Sequence, residues 1–143
     1  MKKIIVSFVF VLLLGLVFNS CSSDDSSSTP TSTSVVGKWN FSKVSYTFNG
    51  QSSPEADYDG NEQGCSKDYI EFKANGVYNE ADYSSTACVE ELSVGTWSKE
   101  GSLLTITDDT DTVSVEIIGV TTSTLKVKFS EGTNSATVTF TKG

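Results

Sequence analysis

The chain has 143 residues, of which 18 are acidic and 10 basic, with no histidine and a formal net charge of −8. Without histidine the usual general base, the usual triad partner and the commonest zinc ligand are all missing, so neither a catalytic constellation nor a cofactor is expected. Every basic residue is a lysine, and an acidic surface without arginine lacks the footprint that nucleic acids require, while the length suits one small domain.

Lys2 and Lys3 precede an apolar run from Ile4 to Phe18, and Asn19-Ser20-Cys21 follows, the charged, apolar and small-residue order of a secretory signal. In a helix that run covers roughly 22 Å, short of the roughly 30 Å of a bilayer core, so a removed signal over residues 1–20 is expected. Cys21 resembles the lipidated cysteine of a bacterial lipoprotein, with Phe18 where leucine is usual. Acyl chains on Cys21 would then be the only membrane attachment, and two or more such chains make anchoring stable. Ser22, Ser23, Asp24 and Asp25 resemble the surface-export tether of Gram-negative lipoproteins, which implies an outer-membrane protein displayed at the cell surface, the periplasmic face being the alternative. Ser, Thr and Asp dominate residues 21–34, a polar tether reaching about 20 Å. Loss of Lys2 and Lys3 leaves 8 lysines against 18 acidic residues, a net charge near −10.

Residues 35–143 alternate with period two between turn residues, which predicts eight strands and an all-β domain. The first runs from Val35 to Phe48, with a parity change between Trp39-x-Phe41 and Val44-x-Tyr46-x-Phe48 that predicts a bulge near Ser42 and Lys43. The second, Tyr69 to Lys73, turns through Ala74-Asn75-Gly76 into the third, Val77 to Tyr83. The fourth is Val94 to Lys99, the fifth Leu103 to Thr107 and the sixth Thr112 to Ile118. Leu125, Val127 and Phe129 share a face of the seventh, and Ala136, Val138 and Phe140 share one of the eighth. Tight turns throughout favour an antiparallel up-and-down meander closed into an eight-stranded barrel, with a two-sheet sandwich as the alternative. Cys65 and Cys88 flank the predicted second and third strands, so a disulfide is expected in an exported protein. Closing a loop of about 24 residues would contribute roughly 3.5 kcal/mol.

Gly37-Lys38-Trp39 resembles the Gly-x-Trp motif that opens lipocalin barrels. With Cys65-Ser-Lys-Asp-Tyr-Ile-Glu-Phe72, Asn75-Gly76-Val-Tyr78, Cys88, Gly95-Thr-Trp97 and Leu104-x-Ile106, the domain resembles the lipocalin-like domain of Gram-negative lipoproteins. The resemblance implies an eight-stranded barrel whose floor is closed by Trp39, a Cys65–Cys88 cystine and a small apolar ligand at the mouth. The chain differs from true lipocalins in having no arginine to stack on Trp39, no Thr-Asp-Tyr motif and no long C-terminal segment for a flanking helix.

Asp108, Asp109 and Asp111 cluster at a predicted hairpin turn, where aspartates commonly cap their own backbone rather than form an acid/base pair. Asp57-Tyr-Asp59-Gly-Asn61 and Asp68 have part of the spacing of a calcium loop. Glu62 stands where glycine is wanted and Asp68 replaces the bidentate glutamate, so an acidic, otherwise unstructured loop without metal is expected. Tyr46, Phe72, Tyr78 and Trp97 are the candidate ligand-binding residues, since tyrosines offer a polar handle in an apolar pocket. The sequence therefore points to a non-enzymatic surface lipoprotein that binds a small apolar or amphipathic ligand. A filled barrel that contacts a protein partner at the cell surface, as a complex subunit or a protease inhibitor, is the alternative.

Overall fold

Alternating residues cut by Gly, Asn and Asp turns form strands throughout the residues that the computed structural model describes, 34–83 and 87–143. The expected signal, Cys21 and nearly all of the tether lie outside the described residues. The strands are β1 Gly37–Phe48, β2 Gln51–Ser52, β3 Ala56–Asp57, β4 Tyr69–Phe72, β5 Val77–Asp82, β6 Glu91–Glu100, β7 Leu103–Thr107, β8 Thr112–Val120, β9 Thr124–Glu131 and β10 Asn134–Lys142.

From β4 to β10 each strand pairs antiparallel with the next, β4 pairs with the start of β1, and β10 returns to β1 from Trp39↔Lys142 to Thr47↔Ser135. The result is the closed eight-stranded meander that the sequence predicts, with β2 and β3 as additions. The expected bulge lies between Phe41 and Lys43. A second, between Ile117 and Gly119, lengthens β8 to Val120 and was not expected.

Two expectations need correction. Residues 49–68 are not an unstructured loop, because β2 and β3 pair with Thr47, Phe48, Lys43 and Val44 of β1. β4 is only four residues long and leaves the second half of β1 uncovered, so the segment straps that stretch. β6 starts at Glu91 rather than Val94, since Glu91, Leu92 and Ser93 continue the ladder opposite Asp82, Ala81 and Glu80.

Trp39 closes the floor and is 1% exposed, packed with Val35, Phe72, Leu104, Leu125 and Phe140. Its Nε1 donates to the Val35 carbonyl at 2.7 Å. Lys142 takes the place of the absent arginine. Its ammonium lies 4.0 Å from the Trp39 ring centroid and donates to the Val36 carbonyl. Gly37 has φ +129°, and a Cβ there would run into the Lys142 ammonium, so glycine is required both by the backbone and by the cation that covers the indole. On the same floor, Trp97 donates through Nε1 to the Lys73 carbonyl, tying β6 to the β4–β5 turn, where Gly76 has φ +83°.

Cys65 and Cys88 form the expected disulfide, joining the loop before β4 to the loop after β5 at the opposite end of the barrel from Trp39. Asp68, 3% exposed, reinforces this junction. Its carboxylate accepts from the Tyr83 backbone N–H, and its own N–H donates to Asn61 Oδ1.

Gly37→Ala is expected to destabilise the domain by about 1–3 kcal/mol, read by urea denaturation, through backbone strain and displacement of Lys142. Replacing both Cys65 and Cys88 by Ser is expected to remove about 3 kcal/mol while leaving the far-ultraviolet circular dichroism unchanged.

Candidate functional site: the mouth of the barrel

Strand parity decides which side chains enter the lumen. Trp39 lies opposite Ile70, Phe72 opposite Tyr78, and Ile70 opposite Glu80, so all five share the inner face. The next pairings carry that face to Ser93 opposite Glu80 and to Glu91 opposite Asp82. Around the other wall, Ile106 lies opposite Val113, Phe129 opposite Ala136, and Ala136 opposite Tyr46.

Burial along this inner face is graded. At the floor the inward residues are fully packed, whereas toward the mouth Val113 is 41% and Tyr46 44% exposed, and Ile106, Phe129 and Ala136 are half-buried. Glu80 is also solvent-accessible, although it lies on the same inner face as buried Ile70 and Tyr78. An eight-stranded barrel is just wide enough either to fill itself or to hold one small molecule. This barrel fills its lower half and leaves the inward side chains of its upper half accessible.

The two walls of the mouth differ in chemistry. Ile106, Val113, Phe129 and Ala136 form an apolar wall. Opposite them, Tyr78 donates through its hydroxyl to Glu80 Oε2 at 2.6 Å, and Asp82 and Glu91 follow toward the rim. Although the Glu80 side chain keeps solvent contact, the surrounding barrel wall partly desolvates its carboxyl and pushes it above its usual range against the opposing effect of the Tyr78 hydrogen bond, and the charges of Asp108 and Asp82 raise it further. Asp82 is raised by burial and then by Glu91. Burial and the Glu80 charge push the Tyr78 hydroxyl far up, so it remains a donor. Tyr58 from the strap stacks on Phe41 at 4.6 Å and is likewise raised by burial, then by Asp68, Asp82 and Glu80.

The four candidate ligand-binding residues separate. Tyr46 stands at the rim, with its ring 6.2 Å from that of Phe48. Tyr78 lies at the boundary between floor and lumen, 5% exposed. Phe72 is completely buried, between Tyr78 and Trp97 at ring distances of 5.6 and 5.3 Å, and Trp97 is half-buried beside it. Phe72 therefore belongs to the packed floor.

Sequence reasoning missed Glu80, Asp82, Glu91 and Ser93. Their signal was an inverted alternation in which β5 and β6 carry polar residues inward while Leu92 and Val94 face out, 52% and 54% exposed.

The other carboxylates have local employment. Asp108 Oδ1 accepts from the backbone N–H and hydroxyl of Thr110 and from the N–H of Asp111, which holds its carboxyl below the usual range. Asp57 is turned to Lys43 at 3.0 Å, and Asn61 and Asp68 bond within the strap junction. Among the described residues no group of three metal-ligating side chains converges. On the outer wall, Ser102, Leu103, Ser114, Glu116, Lys128 and Ser130 line a shallow open groove of about 390 Å³, which lies outside the lumen.

Glu80, Asp82 and Asp68 all hold their protons more tightly in the folded state than ordinary carboxyls do. The stability tied to them is complete below their unfolded pKa values and is lost as pH rises through the raised folded values. Depressed Glu55 and Asp108 act in the opposite sense, their contribution being lost only as pH falls through values below the ordinary carboxylate range. Tm is therefore expected to rise as pH falls from neutrality toward the ordinary carboxylate range, and Glu80→Gln to flatten that rise, as read by differential scanning calorimetry.

The comparisons agree with this architecture. The model of the lipocalin-like domain family matches residues 35–127. A lipocalin-like protein from Bacteroides uniformis superposes with a TM-score of 0.55 at 13% identity, covering 76% of this chain and 98% of its own. An uncharacterized protein from Bacteroides eggerthii superposes with a TM-score of 0.52 at 12% identity, over 76% and 98% of the respective chains. At such identities these likenesses concern the fold, and no curated protein matches the chain significantly. With the family match spanning most of the domain and the Trp39 floor, the closed meander and the flanking cystine all in place, the chain belongs to the lipocalin-like domain family.

Proposed function

We propose that this protein is a non-enzymatic binding lipoprotein that takes a small apolar or amphipathic molecule into the mouth of its barrel. One observation carries the reading: the inward side chains Ile106, Val113, Phe129, Ala136 and Tyr46 remain accessible above a packed floor. Inward side chains that keep solvent-exposed apolar surface, as Val113 and Tyr46 do, recover burial when a ligand covers them, while Ile106 and Phe129 back them from the edge of the packed core. The want of histidine and the capping role of Asp108 support a binding role over catalysis. Anchoring through Cys21 at the outer membrane, with the domain at the cell surface, is the placement that the signal-like N-terminus and the Ser/Asp tether support. Metabolic labelling with a radioactive fatty acid, lost on Cys21→Ser, tests the anchor.

A second reading has its own observation. Leu92, Val94 and nearby Val89 leave exposed apolar surface on the outer side of β6 and the loop before it, which suits a protein partner at the cell surface. A photoreactive residue at Val94 that cross-links to no cell-surface protein would remove this reading.

For the main reading, the neutral probe N-phenyl-1-naphthylamine is expected to bind the purified protein saturably with enhanced fluorescence. Ala136→Phe, which fills the space between Tyr46 and Phe129, is expected to weaken binding about tenfold or more at little change in Tm. Non-saturable binding, or an unaffected Ala136→Phe variant, would overturn it.

A further inference from the structure

We infer that the mouth selects an amphiphile with a cationic head, such as a primary amine on a short apolar body, with its ammonium received between Glu80 and Asp82. The inference rests on the binding reading above and names the ligand class for that site.

The carboxyls alone would be a solvated rim. Two further features make them a receptor. First, Glu80 is not on the rim but on the inner face of β5, directly above the packed floor, with its Oε2 held by the Tyr78 hydroxyl and the accessible apolar wall of Val113 and Phe129 across the lumen. A molecule that fills the lumen between the two walls would also cover Glu80, which the register places on the inner face. Covering a carboxylate with hydrocarbon is costly, whereas covering it with an ammonium supplies charge-assisted hydrogen bonds.

Second, among the described residues no counter-charge lies on that face. Asp82 and Glu91 pair across β5 and β6 with like charge, and Asp108 adds to the repulsion felt at Glu80. The lysines lie elsewhere. Lys38 covers the Tyr69 ring, while Lys43, Lys73 and Lys126 pair with Asp57, Glu71 and Glu55. Lys128 belongs to the outer groove, Lys142 sits at the floor, Lys99 lies next to the last residue of β6 on the floor side, and Lys67 is exposed on the loop beside Cys65. A cationic head would relieve repulsion that the fold leaves uncompensated, whereas an anionic head would add to it.

Three probes with one tail separate the effects: n-octylamine, 1-octanol and octanoate, titrated into the purified protein by calorimetry near neutral pH. Octylamine is expected to bind about tenfold tighter than octanol, octanoate weakest, and Glu80→Gln to bring amine and alcohol together while leaving alcohol affinity intact. Asp82→Asn, nearer the rim, is expected to reduce the amine preference in part. Equal affinities for the three heads, tighter octanoate, or an amine preference that survives both substitutions would overturn the inference while leaving a general apolar site standing. Failure of all three probes to bind would overturn the parent reading with it.

Discussion

Closure of β1 onto β10 is the constraint on which the rest depends. Among the described strands β1 alone pairs on both flanks with strands distant in sequence, β4 on one side and β10 on the other. The bulge after Phe41 lets it do so, because it restores Val44 and Tyr46 to the inner face after the backbone bends. Without that parity correction Tyr46 would leave the lumen and the mouth would lose its alignment with Ala136. Closure also removes the open edges that a meander would otherwise present.

The two ends of the barrel solve different problems. At the floor, Trp39, Phe72, Leu104, Leu125 and Phe140 exclude water, and Lys142 spends its charge on an aromatic face instead of on solvent. Lysine can act here because the contact is with a ring face and a single carbonyl, which demand a positive charge but not the planar fork of arginine. Toward the mouth, packing gives way to an accessible lumen with one apolar and one acidic wall. There the Tyr78–Glu80 hydrogen bond marks the boundary between packed core and accessible lumen.

The mouth is fastened where β4 is too short to cover its neighbour. Asn61, Asp68, the Tyr83 backbone and the Cys65–Cys88 bridge tie the strap to the end of β5 beside Glu80 and Asp82. Tyr58, stacked on Phe41, fills the same gap from the strap. The covalent and polar ties thus hold the acidic wall in place, a role for which the apolar core offers nothing so near the rim.

Wherever local pattern and tertiary role coincide, the sequence alone determined the outcome. The clean alternation of Val113-x-Val115-x-Ile117, Leu125-x-Val127-x-Phe129 and Ala136-x-Val138-x-Phe140, the Asn75-Gly76 turn, the parity change in β1 and the Cys65–Cys88 pairing were legible because each is written in neighbouring residues or in a hairpin's own geometry. β2 and β3 were not, since two-residue strands exist only because β1 offers them an uncovered flank. The start of β6 and the acidic wall were hidden for a related reason. Glu80, Asp82, Glu91 and Ser93 invert the usual inside-apolar rule, and only the register of β5 against its neighbours shows that they face a lumen rather than solvent. Tertiary structure alone decided that Phe72 is floor and that Glu80 faces the accessible upper lumen, because depth along a barrel axis depends on the stagger of strands from across the chain and not on the order of residues within any one of them.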